Sequence, residues 1–238
     1  MESYVFCGVI LPERAQLSRQ YALEFFHQGS GAPGKMKVSI LNNQLFVWVE
    51  TDREWDICDL RNVVNTIVQG DLAVIGYLKG YAYDLEVTRV LNPKREVDYV
   101  FGIEIPCIEE RGRSIDLDKS VLELQKKTEG VNGVFVSRCL NDLISAMKHA
   151  NDTAFYCYRA IESLRHHCAA LNGLSAASRL KQLEKFRQVS GTPEKDLRFI
   201  KEAADPLRHG QVSNITSSQR AELFKLTWDV VGAYLEAI

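Results

Sequence analysis

Four polar side chains recur at helical spacing in the segment RFIKEAADPLRHG, residues 198–210. They are Arg198, Glu202, Asp205 and His209. Intervals of four, three and four residues place them on one face of an α-helix. An imidazole exchanges a proton near neutral pH, and the guanidinium of the adjacent Arg208 can hold a phosphate. The pattern indicates either a site for phosphate chemistry or a surface helix end, where cations favour the negative helix terminus.

A second polar group lies in the segment FYCYRAIESLRHH, residues 155–167. Glu162 follows Arg159 by three residues and precedes His166 by four, so its carboxylate has a possible partner on either side. If this helix face is exposed, these are ordinary surface ion pairs. If it faces the interior, Glu162 orients an arginine or a histidine inside the protein. The candidate catalytic residues are therefore His209, Arg208, Arg198 and Glu162, and the candidate binding residues are Arg159 and Asp205.

The segment GSGAPGK, residues 29–35, is similar to a phosphate-binding loop. Residue 36 is a methionine, which has no hydroxyl for a magnesium ion. Such a loop must also open a helix, whereas Met36 to Ile40 has the character of a strand. The sequence therefore predicts a connection between strands and no ATP binding.

The six cysteines, at positions 7, 58, 107, 139, 157 and 168, form no C-x-x-C pair. This spacing predicts free thiols in a reducing compartment. A zinc site could use Cys168 with His166 or His167, but no four-ligand set is visible. Neither a metal ion nor another cofactor is predicted.

The composition is that of an ordinary globular protein, with 46% hydrophobic and 25% charged residues and a net charge of −2. No apolar run approaches the ~20 residues that span a bilayer, and the first residues lack the basic start of a secretory signal. We expect a cytoplasmic protein without a membrane partner. Residues 134–238 hold 14 Lys and Arg against 11 Asp and Glu, whereas the preceding part is acidic.

The elements that must position these residues differ between the two halves of the chain. Residues 1–110 alternate with period two and predict a mostly antiparallel β-rich domain with one helix. The predicted strands lie at about 4–10, 17–28, 35–50 (a hairpin turning at Asn42-Asn43), 72–78, 81–91 and 97–105. Asp56 begins the helix and Gly70 ends it.

Residues 111–133 are predicted to be a connector, with a short helix at 117–127 and a flexible break at 129–133. Residues 134–238 carry helical patterns separated by short connections, which is typical of an antiparallel all-α bundle. Thr192 is expected to cap one helix, which Pro206 kinks or ends, and Thr216 with Gln219 is expected to form a capping box for the last. The fold class predicted is α+β.

The helical half resembles the HEPN superfamily of prokaryotic helical bundles. The resemblance rests on FYCYRAIESL (155–164), the His209-Gly210 pair and the amphipathic final helix. Active members are metal-independent ribonucleases, often dimeric, that work in phage defence, toxin–antitoxin and RNA-processing systems. Their motif is an arginine, four to six residues, and a histidine commonly followed by glycine. His209 and Gly210 match it, but the window for the arginine, residues 202–205, reads Glu-Ala-Ala-Asp.

The resemblance therefore implies a non-catalytic HEPN-like binding or regulatory module in an RNA-related or phage-defence setting. Its expected partners are a second copy of the chain through the helical domain, and RNA or another protein. The alternative is a metal-independent ribonuclease, with His209 as general acid or base and Arg208 or Arg198 as the phosphate clamp.

Overall fold

The computed structural model describes residues 1–27, 31–102, 105, 107–108, 115–175, 177–211 and 215–238. It divides into two compact units, Met1–Ile103 and Glu104–Ile238. In the described residues the first unit is an antiparallel sheet with one α-helix, and the second is helical. The predicted α+β class, a β-rich domain followed by a helical bundle, is confirmed.

The sheet has the strand order β2-β3-β4-β1-β5-β6, and every neighbouring pair is antiparallel. The strands are β1 (Glu2–Leu11), β2 (Arg19–His27), β3 (Ala32–Leu41), β4 (Gln44–Thr51), β5 (Asp84–Asn92) and β6 (Val97–Val100). Asn42 and Asn43 turn β3 into β4 with φ values of 47° and 67°. The predicted hairpin is confirmed, because asparagine tolerates these left-handed values.

Helix α1 (Ile57–Lys79) starts where the sequence predicts, since the Asp56 carboxylate accepts hydrogen bonds from the Cys58 and Asp59 amides at 2.9 and 3.0 Å. It does not end at Gly70, and the predicted strand at 72–78 is wrong. Buried positions continue every four residues to Leu72 and Gly76, so the helical pattern extends beyond the glycine. Gly80, at φ 68°, ends the helix in the left-handed conformation.

The helical unit contains α2 (Leu117–Lys127), α3 (Gly130–Lys148), α4 (Thr153–Leu171), α5 (Arg179–Ser190), α6 (Glu194–Arg208) and α7 (Ser217–Glu236). The short helix at 117–127 is confirmed. The predicted break at 129–133 is wrong, because α3 begins at Gly130 and Gly133 is buried. A Cβ on Gly133 would lie 2.3 Å from the Thr128 carbonyl, so glycine permits this close turn between α2 and α3.

Helix α4 lies at the centre of the unit and packs against α3, α5, α6 and α7. The Thr216–Gln219 capping box at the start of α7 is confirmed. Pro206 lies in the last turn of α6, which ends at Arg208. No helix in the described part of the chain is both long and apolar enough to cross a membrane.

Candidate functional site

The central helix α4 carries a buried apolar stripe and, beside it, a polar face. Its buried apolar side chains include Ala154, Cys157, Ile161, Leu164 and Cys168. Tyr158, Glu162 and Arg165 follow one another at intervals of four and three, so they share one face of the helix. Because α4 is packed on several sides, this face meets residues of α5 and α6 instead of solvent alone.

The Tyr158 hydroxyl forms hydrogen bonds with a carboxylate on its own helix and with an arginine on the next helix. Its hydroxyl donates a hydrogen bond to Glu162 Oε1 at 3.0 Å and accepts one from Arg179 Nη2 at 2.7 Å. Burial, and then the negative charge of Glu162, raises the pKa of the Tyr158 phenol. The phenol therefore stays protonated and acts as a structural bridge.

Glu162 is held mainly by Arg165. Arg165 Nε and Nη2 donate to the two carboxylate oxygens at 3.2 and 2.9 Å, and Arg179 Nη2 lies 3.6 Å from Oε1. Burial raises the pKa of the Glu162 carboxyl, but the hydrogen bonds and charges of the two arginines outweigh it, so the pKa lies below its ordinary value. The Arg165 guanidinium, with only 5% of its side chain exposed, also contacts the amide oxygen of the buried Gln182.

Arg208, at the end of α6, lies over the ring of Tyr158. Its guanidinium carbon is 4.9 Å from the ring centre, and Nη1 donates to Asp205 Oδ1 at 2.8 Å. We refer to Tyr158, Glu162, Arg165, Arg179 and Arg208 as the Tyr158 cluster. With Asp205 it brings three guanidinium groups and two carboxylates around one phenol, an excess of one positive charge.

Two family models match the chain. One describes the N-terminal domain of DUF8168, a domain of unknown function, and covers residues 4–101; the other describes the C-terminal domain and covers residues 121–238. The chain belongs to the DUF8168 family. Each matched range lies within one compact unit, and the whole Tyr158 cluster lies in the C-terminal range. No curated protein and no solved structure matches the chain. The HEPN resemblance stays a prediction, since neither DUF8168 model refers to that superfamily.

The structure brings three of the six predicted site residues together, namely Glu162, Arg208 and Asp205. Arg159 points elsewhere: it pairs with the buried Asp142 at 2.7 Å and lies over the rings of Phe155 and Tyr156. Burial raises the pKa of that aspartate. Arg198 pairs with Glu194 at 3.0 Å, ten residues and therefore about 15 Å along α6 from Arg208.

His209 follows Arg208 but is not part of the cluster. It is the C-terminal capping residue of α6, and its backbone N–H donates to the Asp205 and Pro206 carbonyls at 3.3 and 3.1 Å. Its side chain is exposed, and within the described residues the imidazole makes no hydrogen bond or ion pair. The only cation next to it in sequence is already held by Asp205 and Tyr158.

Lys35, in the segment similar to a phosphate-binding loop, lies within strand β3 and pairs with Glu24 at 3.3 Å. Gly29 and Ser30 of that segment lie outside the described residues. The absence of ATP binding stays a prediction. All six cysteines are free thiols in the structure.

Sequence reasoning missed Tyr158, Arg179 and Gln182. Tyr158 sits four residues before Glu162, a spacing that could have indicated the hydrogen bond. In the structure its side chain is buried. Arg179 and Gln182 lie on a different helix from Glu162, and no local spacing relates them to it.

The cluster is suited to binding an oxyanion, because Arg179 keeps half of its side chain exposed and Arg208 a third. Guanidinium N–H groups not used within the cluster can donate to a phosphate in pairs. Proton transfer is a poorer fit. His166 stacks on Phe135, and burial, followed by the charge of Arg165, lowers the pKa of its imidazole. His166 Nε2 accepts a hydrogen bond from Arg165 Nη2 at 3.1 Å, so the imidazole supports the cluster.

Proposed function

We propose that the helical unit is a non-catalytic HEPN-like module that binds RNA through phosphate contacts of Arg179 and Arg208. The observation that carries the proposal is the way Tyr158 holds both guanidinium groups, one through its hydroxyl at 2.7 Å and the other through its ring at 4.9 Å. Groups fixed in this way lose less conformational entropy when a phosphate binds.

The neighbourhood of His209 supports the absence of catalysis. In the window where the family motif has an arginine, Ala204 is fully buried and Asp205 pairs with Arg208. A histidine can act as an acid or base only on a substrate that is held in place. Arg208 is held by Asp205 and the Tyr158 ring, and residues 202–205, Glu-Ala-Ala-Asp, supply no second guanidinium that could position a scissile phosphate for the imidazole.

The proposal is tested with purified full-length protein and fluorescently labelled single-stranded and structured RNA in EDTA. Anisotropy titrations compare the wild type with Arg179→Ala, Arg208→Ala and Arg198→Ala. We expect each of the first two to weaken binding about 5- to 10-fold and to reduce the salt dependence, because each removes about one phosphate contact. Arg198→Ala is the matched control, because it removes an exposed arginine of α6 outside the cluster.

The same samples test the ribonuclease alternative, which the exposed imidazole of His209 beside Arg208 favours. Under our proposal the RNA stays intact and His209→Ala binds it like the wild type. Cleavage in EDTA that falls ~100-fold or more in His209→Ala would establish the alternative. If Arg179→Ala and Arg208→Ala bind RNA as tightly as the control, the proposed interface is wrong.

The proposal also includes a cytoplasmic location and self-association through the helical unit, as expected for HEPN-like proteins. Light scattering on the full chain and on its helical unit measures self-association directly. If both samples are monomeric at micromolar concentration, the proposed self-association is wrong. The RNA-binding proposal is tested separately by the titrations.

A further inference from the structure

Arg61, on the second turn of α1, is a half-buried arginine without a counter-charge among the described residues. Its guanidinium carbon lies 4.4 Å from the centre of the Phe101 ring, and its Nε atom is buried with no hydrogen-bond partner. Burial lowers the pKa of this guanidinium, although the nearby Cys58, Glu86 and Tyr99 act in the opposite direction. None of these groups forms an ion pair with it.

Among the arginines described in the first unit, the lack of an ion pair at a half-buried position is unusual. Arg19, Arg53, Arg89 and Arg95 each pair with a carboxylate of the unit, and Arg14 is exposed to solvent. A charge removed from water without a partner costs free energy, and that cost is recovered when an opposite charge binds. Arg61 is thus the arginine of this unit that an external anion would stabilise most.

The aromatic ring that contacts Arg61 is held in place by the sheet. Phe101 is itself buried, stacks on Phe6 at 6.4 Å, and donates its backbone N–H to the Thr88 carbonyl at 2.8 Å. The ring that supports the guanidinium is therefore anchored to the sheet. The partly exposed ring of Tyr99 meets Phe101 edge-on at 5.3 Å and adds an aromatic border.

A second unsatisfied polar atom lies one turn along the helix. Asn65 follows Arg61 by four residues, on the same face of α1, and its Oδ1 atom is also buried without a hydrogen-bond partner. An amide oxygen accepts hydrogen bonds, so Asn65 Oδ1 can pair with an O–H or N–H group of a bound ligand but not with its anionic oxygens.

We propose that Arg61, supported by Phe101 and flanked by Asn65 and Tyr99, binds the oxyanion of a small carboxylate- or phosphate-bearing ligand. The planar guanidinium offers the paired N–H groups that both oxyanions accept. The aromatic border favours a ligand that carries a flat apolar group beside its anion. This site lies in the first unit and is independent of the RNA-binding proposal for the helical unit.

The direct test is an NMR titration of the full chain that follows the Arg61 Nε–H signal, which is assigned by its loss in Arg61→Lys. The probes are inorganic phosphate, acetate and phenyl phosphate, each compared with chloride at equal ionic strength. We expect saturable shifts with the oxyanions but not with chloride, and a dissociation constant several-fold lower for phenyl phosphate than for phosphate. Larger effects of phosphate than of acetate would identify the ligand as a phosphate, and the reverse order as a carboxylate.

Two variants make the outcome decisive. Glu86→Gln removes a nearby negative charge, so it should tighten phosphate binding several-fold. Arg61→Met should melt at or above the wild-type temperature in chloride buffer, because it removes an unpaired half-buried charge and keeps apolar contact with Phe101. Arg53→Met, at an exposed pair with Asp52, is the control for charge removal. An Nε–H signal that does not respond, or an Arg61→Met protein that melts several degrees below wild type, would show that Arg61 has a structural role, and the proposal would be wrong.

Discussion

At the scale of single residues, the burial of Arg165 makes Glu162 important for stability. Glu162→Gln leaves a guanidinium that is 5% exposed without its carboxylate, so we expect the helical unit to lose about 2–3 kcal/mol of unfolding free energy. Urea unfolding followed by far-ultraviolet circular dichroism measures the change. Glu194→Gln is the matched control: its ion pairs with Arg187 and Arg198 are exposed, and its loss should cost no more than about 0.5 kcal/mol. Equal losses in the two variants would contradict the buried role of Glu162.

The same carboxyl gives a dependence of stability on pH. The pKa of Glu162 is lower in the folded protein than in the unfolded chain. Its contribution is therefore complete above the unfolded pKa, about 4.3, and is lost as the pH falls through the folded pKa. We expect the difference in unfolding free energy between wild type and Glu162→Gln to stay constant from pH 6 to about 5 and to shrink as the pH is lowered further toward 3. A difference that stays constant over the whole range would mean that the folded pKa is not lowered.

The residues of the candidate site show what local sequence can predict. Glu162 was identified because helical spacing places charged neighbours within reach on its own helix. Its actual partners include Arg179, on a helix that begins after an intervening turn, and the ring of Tyr158 connects it to Arg208 on α6. Such contacts depend on how three helices pack, and no pattern within one segment encodes them. His209 was predicted from a motif, but its position outside the cluster follows from the end of α6.

At the scale of elements, α1 shows how tertiary packing overrides a local signal. Gly70 predicted a helix end and residues 72–78 a strand, yet burial at Leu72 and Gly76 continues the helix to Lys79. The Asn42-Asn43 turn and the Thr216 capping box were predicted correctly because their chemistry is local. The predicted cap at Thr192 is wrong: Pro193 occupies the capping position of α6, and the Thr192 hydroxyl lies 2.7 Å from that of Ser190.

Two glycines of α1 provide a matched test of this helix. A Cβ on Gly70 would meet no atom within 4 Å, whereas a Cβ on Gly76 would lie 2.4 Å from the Tyr81 carbonyl oxygen. Gly70→Ala should stabilise the first unit by about 0.5–1 kcal/mol through helix propensity, and Gly76→Ala should destabilise it by about 1–3 kcal/mol through overpacking. Thermal melts of the two variants measure both effects. Destabilisation by Gly70→Ala would support a helix that ends at residue 70.

At the scale of the whole molecule, two separate hydrophobic cores explain the division into two units. The core of the first unit uses residues up to Phe101, whereas residues from Ile105 onward pack into the core of the second. A unit with its own core can fold alone. The sequence predicted two domains from the change in hydrophobic period, but the connector, 111–133, was placed by polar composition. Polar composition gives no sign that Ile105, Cys107 and Ile108, just before the predicted connector, pack against the helical core.

This difference predicts where the helical unit can be cut. Ile105, Cys107 and Ile108 are partly buried against the helical core, so a fragment of residues 104–238 retains apolar contacts that a fragment of 115–238 lacks. Partial burial of these side chains is worth about 2 kcal/mol in total, and we expect the longer fragment to be more stable by about that amount. Both fragments should give helical circular dichroism spectra, and urea unfolding of each measures the difference in stability.

A third fragment, residues 1–103, is the control for the first unit and should melt cooperatively with a β-type spectrum. If the two helical fragments are equally stable, residues 104–114 add nothing to the helical core, and the boundary of that unit belongs closer to α2.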